Sequence, residues 1–183
     1  LINCKRFEES IRELELCVQK AFDDSLAPSV PDVRTWKPRH LLANAHASLG
    51  NQKESMRYWD EVLPECKNSP DPFHDYARYL SSINRNKEAM GILIKAMDAG
   101  LNDQKLWELG AGIVNSDLEL AGMALDWTEE AIRFFPESDV TNVRRGEALM
   151  KNGRYLKAIP YFDRLTSRGE RNATAAQLIC KKM

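Results

Sequence analysis

Arg145-Gly146-Glu147-Ala148-Leu149-Met150-Lys151-Asn152-Gly153-Arg154-Tyr155-Leu156-Lys157-Ala158-Ile159-Pro160-Tyr161-Phe162 carries the plan of the molecule in one stretch. Gly146 is a small residue on a first helix, and Asn152-Gly153 is suited to end that helix and reverse the chain. Ala158, Phe162 and Leu165 follow four and three residues apart, which is one face of a second helix. Outward from Gly146 the small residue recurs as Ala43, Ala77, Gly110 and Cys180, with steps along the ladder of 34, 33, 36 and 34. A second ladder, Ser10, Ser55, Ala89, Ala124 and Ala158, has steps of 45, 34, 35 and 34. Small side chains at a fixed period mark places where one backbone approaches another once per unit. The chain therefore reads as an array of paired helices, in which each pair buries its apolar face against its neighbours and the concave surface is left for binding.

The other units repeat the grammar. Phe73, Tyr76, Ala77 and Leu80 match Leu106, Leu109, Gly110 and Ile113 one unit later, both at helical spacing. Turn formers follow each first helix at Gly50-Asn51, Asn84-Arg85-Asn86, Asn115-Ser116-Asp117 and Asn152-Gly153. Second-helix stripes are Ser55, Trp59, Val62, then Ala89, Leu93, Ala96, then Ala124, Thr128, Ala131. At the start, Phe7, Ser10, Leu14 and Cys17 read as a second helix without its first. At the other end, Ala176, Ile179, Cys180 and Met183 read as a first helix without its second. Both ends look cut, and a fragment of a longer protein is expected. The long first step is assigned to a Pro-rich connection from Asp24 to Pro38, containing Pro28, Pro31 and Pro38.

Composition narrows the function classes. The chain has 183 residues and a net charge of −1, with 43% hydrophobic and 29% charged residues. That is the balance of a folded domain, without the basic excess expected of a nucleic-acid or anionic-membrane binder. No nucleic-acid or membrane partner is expected. Cys4, Cys17, Cys66 and Cys180 are scattered without close pairs, which favours reduced thiols and a cytoplasmic location.

Periodicity and local pattern together resemble the tetratricopeptide repeat family, in which a bulky residue, Leu-Gly and Tyr mark the first helix and Ala, Phe, Ala and a closing Pro mark the second. Segment 145–162 carries the likeness best, and Pro136 closes the unit before it. Departures are His46 at the Tyr place, Ser10 and Ser55 at the Ala place, and Asn142 and Arg145 where apolar residues are usual. About two extra residues lie around Asp117 to Leu120. The resemblance implies an all-α, right-handed superhelical solenoid of antiparallel helix pairs in a single domain spanning 1–183. Its units are drawn at 1–24 (second helix only), 36–69, 70–102, 103–137, 138–171 and 172–183 (first helix only).

Catalytic chemistry finds little support. Gly110-Ala111-Gly112 begins like a dinucleotide loop, but Asn115 occupies the third glycine place and no strand precedes it. His40, His46 and His74 have no Cys or second His at ligand spacing, so no metal and no cofactor are expected. His46 reads as a satisfied core histidine. Trp59 lies on a buried stripe, while Trp107 is turned about 100° from Leu106 toward the concave side. Trp107 is either a ligand anchor or a ring packed on the preceding unit.

Projecting the first helices in one register gives a groove of His40, Asn44, His74, Arg78, Trp107, Val114, Val143, Glu147 and Met150, joined by Ala47, Ser81 and Ala111. One end is polar, the other apolar. His40, Asn44 and Arg78 partly resemble the clamp with which family members hold a peptide C-terminus, whereas Asp75 and Trp107 depart from it. The expected role is a non-catalytic protein- or peptide-binding scaffold, with a second copy of the chain as another candidate partner. Two alternatives remain at this point: a substrate-positioning or dimerisation domain of a larger enzyme, such as a bacterial glycosyltransferase, and a structural spacer.

Overall fold

A computed structural model describes residues 7–21, 35–166, Ala176 and 179–181. Nine α-helices occur among the described residues: α1 (Phe7–Ala21), α2 (Lys37–Ser48), α3 (Gln52–Val62), α4 (Asp71–Ser82), α5 (Asn86–Asp98), α6 (Gln104–Ser116), α7 (Ala121–Phe134), α8 (Asp139–Lys151) and α9 (Tyr155–Thr166). Ala176 and 179–181 are also helical, and no strand appears among the described residues. The connection carrying Pro28 and Pro31, the side chain of Leu165, and Met183 lie outside the described residues.

The helices pair as α2 with α3, α4 with α5, α6 with α7 and α8 with α9. Successive first helices also touch, α2 to α4, α4 to α6 and α6 to α8. Each second helix instead reaches the first helix of the next unit, α3 to α4, α5 to α6 and α7 to α8. First helices therefore form the inner row of a helical solenoid.

Both ladders lie at these contacts. Ala43, Ala77, Ala89, Ala124, Ala158 and Cys180 are buried, as are Trp59, Leu93, Thr128 and Phe162 on the stripes. Ser55, at an Ala position, donates its hydroxyl to the Ala43 carbonyl at 2.9 Å and so enters the core with its hydrogen bond made. Two glycines are sterically required. A Cβ on Gly146 would stand 2.4 Å from the Phe162 ring, and one on Gly110 would stand 2.3 Å from the Trp127 ring. Asn142 and Arg145, polar residues at usually apolar places, are buried because each meets carbonyls. Asn142 donates to Pro136 and Ser138 at 2.9 and 2.7 Å. Arg145 donates to the Leu125 carbonyl at 2.6 Å and to Glu129 at 2.7 Å, which fastens α8 to α7.

Three of the four inner turns share one closure. Amides of Asn51, Arg85 and Arg154 donate back five residues to the carbonyls of His46, Leu80 and Leu149, each at 2.9 Å. Gly50, Asn84 and Gly153 take the left-handed φ values of 76°, 60° and 69° that this motif needs. The fourth turn corrects the sequence reading. Asn115 and Ser116 remain inside α6, and the chain reverses through a short 3₁₀ turn at Leu118–Leu120, where the extra residues were expected. Asp117 caps that turn by accepting from the Glu119 amide at 2.8 Å.

His46 is a core residue, stacked on Tyr58 with ring centroids 5.6 Å apart. Only half of its expected hydrogen bonding is met. Asn51 Nδ2 donates to Nδ1 at 3.3 Å, while Nε2 is buried without a partner. Burial holds the imidazole pKa below its ordinary value. Among the described residues Cys17, Cys66 and Cys180 are free thiols, and burial pushes the Cys66 thiol up to about 11.

Candidate functional site

The inner surface begins with a polar hub on α2 and α4. Asp75 projects from the first half of α4, where it faces His40 and Asn44, two residues one turn apart on α2. His40 Nε2 lies 3.1 Å from Asp75 Oδ2 and Asn44 Nδ2 lies 3.2 Å from the same oxygen, so two donors converge on it. His74 Nδ1 approaches Oδ1 at 3.4 Å, and Arg78 donates to Oδ1 at 3.2 Å. Burial alone would raise the Asp75 pKa. Hydrogen bonds from His40, His74 and Asn44 outweigh it and hold the carboxyl well below the usual carboxylate range. Arg78 has 64% of its side chain exposed, so its guanidinium still has donors to offer a ligand.

Two open hollows lie along this face. One of about 410 Å³ is lined by Asn44, Ala47, Asp75, Arg78 and Tyr79 among others. The second, of about 530 Å³, lies between α4, α6 and α8 and is lined by His74, Lys105, Leu109, Gly112 and Arg144 among others. Lys105 is exposed and has no partner among the described residues. Arg144 donates to Glu147 at 2.9 Å, and Asn115 Nδ2 donates to the Arg144 carbonyl at 2.7 Å.

His40, Asn44, His74 and Arg78 are thus brought together around Asp75. Trp107 and Val114 are not groove residues. Trp107 is only 8% exposed and Val114 1%. The Trp107 ring packs on Trp127 and Phe134 at centroid distances of 4.9 and 5.3 Å, and its Nε1 donates to Asn102 at 2.6 Å. Ala111 is buried with them. The open row of α6 is instead Lys105, Leu109, Gly112 and Ser116. It is displaced by two residues from the projected Trp107, Ala111 and Val114, roughly 160° around the helix. Val143 and Met150 are half-buried against the core cluster of Leu149, Ala158 and Phe162, while Glu147 is half-exposed beside Arg144.

The displacement has a local cause that the sequence contains. Bulk sits at Trp59, Leu93 and Phe162 on the second-helix stripes, but the third unit has Thr128 there and places its ring one residue earlier, at Trp127. Thr128 turns its hydroxyl back to the Ala124 carbonyl at 2.6 Å. Trp127 fills the space over Gly110 and donates Nε1 to the Trp107 carbonyl at 3.1 Å. With the ring on this side, α6 turns Trp107 into the core.

Among the described residues no group of three His, Cys, Asp or Glu side chains could hold a metal ion, and no helix is long and apolar enough to cross a membrane. Small-residue ladders, paired helices and an inner row of first helices define a tetratricopeptide-like helical repeat domain. The solved structures it is similar to are of the same kind. MamA of Desulfovibrio magneticus RS-1 is 17% identical, with 93% of this chain and 90% of that chain covered and a TM-score of 0.68. PilF of Pseudomonas aeruginosa is 13% identical, with 96% and 85% covered and a TM-score of 0.66. YrrB, a tetratricopeptide protein with an unusual peptide-binding site, is 19% identical, with 78% and 74% covered and a TM-score of 0.63. No protein-family model matches the sequence, and no curated protein matches it.

Proposed function

We propose that this chain is a non-catalytic, cytoplasmic scaffold that holds an extended protein segment along its inner face. The observation that carries the reading is the pair of hollows, of about 410 and 530 Å³, that border α4 and are lined by Arg78 and His74 respectively. YrrB supports it as a similar fold with a peptide-binding site. A ligand lying across α4 meets donors first. Arg78, Lys105 and Arg144 offer N–H groups, while Leu109 and the bare Cα of Gly112 offer apolar floor. Such a surface suits an extended peptide with carboxylate or carbonyl groups and one small apolar side chain. His40 and Asn44 hold Asp75, and Asp75 orients Arg78, so these three are positioning residues. Val143, Glu147 and Met150 extend the path along α8. A second copy of the chain remains a candidate partner by the same chemistry.

The test is a peptide selected from a random library on the wild-type protein and then titrated against single variants. Arg78→Ala and Lys105→Ala should each weaken binding severalfold and flatten its salt dependence. Trp107→Phe should leave affinity unchanged. Unaltered binding by both cation variants would defeat the reading.

A further inference from the structure

We propose that the outer face of α3 is a second docking surface, built for an acidic amphipathic helix of a partner protein. Two hollows adjoin there and share Asp60. The first, of about 350 Å³, has Leu63, Pro64, Phe73 and Ala99 as apolar walls, with Lys67 and Lys95 also lining it. The second, of about 530 Å³, is lined by Met56, Lys53, Arg57, Asp60 and Glu61. Neither shares a residue with the inner hollows, so this surface stands independently of the groove.

Charge selects the occupant. Lys53, Lys67 and Lys95 are exposed, and none has a partner among the described residues. The acids of the same face are engaged: Asp60 accepts from the Tyr76 hydroxyl at 3.3 Å, and Glu61 accepts from Arg57 at 2.8 Å. Four cations, Lys53, Arg57, Lys67 and Lys95, against the two carboxylates of Asp60 and Glu61 leave positive charge beside two apolar hollows, and a partner bringing carboxylates around apolar anchors complements it. Spacing selects its form. Lys53, Met56, Asp60 and Leu63 are three, four and three residues apart, one face of a helical segment. Met56 and Leu63 are separated by about 10 Å at 1.5 Å per residue, the distance between residues seven apart on a partner helix. Two leucines at that spacing would enter the two hollows while flanking glutamates meet the lysines. Met56 can adapt its unbranched side chain to either leucine rotamer.

The probe is a glutamate-rich helical peptide with two leucines seven residues apart, titrated into ¹⁵N-labelled protein and followed by fluorescence anisotropy. Backbone resonances of Met56, Leu63, Lys67 and Lys95 should shift together. The triple variant Lys53→Glu, Lys67→Glu, Lys95→Glu should bind at least tenfold more weakly, and Ala99→Trp, which plugs one hollow, should do the same with all charges intact. Arg78→Ala should bind the probe normally. The proposal is overturned if the charge-reversed protein binds equally well, if a lysine-for-glutamate probe is as good, or if no binding occurs at millimolar peptide. It is also overturned if shifts centre on His74 and Gly112, or if octanoate alone saturates the same resonances, which would make the site one for a small amphiphile.

Discussion

The α2–α4 half of the inner face and the α6 portion use equivalent positions in opposite ways. His40 and His74 stand on the groove side and share one carboxylate, whereas Trp107, the next residue in that series, is drawn into the core by Trp127 and Phe134. Repeat position by itself does not decide whether a side chain faces a ligand. What decides is where the opposite helix carries its bulk: on α7 the ring stands one residue early, about 100° around that helix, and packs on Trp107.

Removing that ring should have the largest effect on the α6 portion. Trp127→Ala should cost about 3–5 kcal/mol in a denaturant titration, because it empties the space over Gly110 and frees the Trp107 carbonyl. A cost under 1 kcal/mol would mean that the ring does not hold α6 in place. Next comes Gly110→Ala. The added methyl meets the indole at 2.3 Å, so a loss of about 1–3 kcal/mol is expected from overpacking. Two residues on, Gly112 has no neighbour to its Cβ closer than 3.9 Å. Gly112→Ala should therefore stabilise by up to about 1 kcal/mol through helix propensity, giving opposite signs on one helix.

The polar half is tested through pH. Asp75 has a folded pKa far below its ordinary value, so the stability it contributes is fully present above about pH 4 and is lost as pH falls further. Asp75→Asn should remove that acid dependence and cost about 1–3 kcal/mol at neutral pH. His46 gives a smaller effect at higher pH. Its folded pKa lies below the ordinary 6.5, so the folded state favours the neutral ring and stability declines as pH drops from 6.5 toward the folded value. Melting curves of His46→Phe should lack that upper step, and a step of unchanged size would place its origin elsewhere.

The fold was legible because two independent regularities agree. Small residues recur at Ala43, Ala77, Gly110 and Gly146, and bulky ones recur on the facing stripes, so close approach and core filling are both written at one period. The hub at His40, Asn44, His74 and Arg78 was legible for the same reason, since unshifted stripes at Trp59 and Leu93 keep the register that projection assumes. Asp75 could be seen as a neighbour of the clamp residues, but not as their shared acceptor, because that depends on side-chain rotamers from two helices. Lys105, Gly112 and Arg144 were missed for want of one comparison, Thr128 against Phe162. A small polar residue stands where the other stripes are bulky, with a tryptophan directly before it. Likewise Asn115 looked like a turn former, yet it sits within α6 and ties to the Arg144 carbonyl across the inner row.

The inner hollow between α4, α6 and α8 can be plugged from Gly112, which lines it. Gly112→Trp places an indole between Lys105 and Arg144 without touching the core, and the peptide selected on wild-type protein is then titrated against it by calorimetry. Binding should weaken more than tenfold while the melting temperature stays within a few degrees. Wild-type affinity in the plugged protein would send the ligand to another surface.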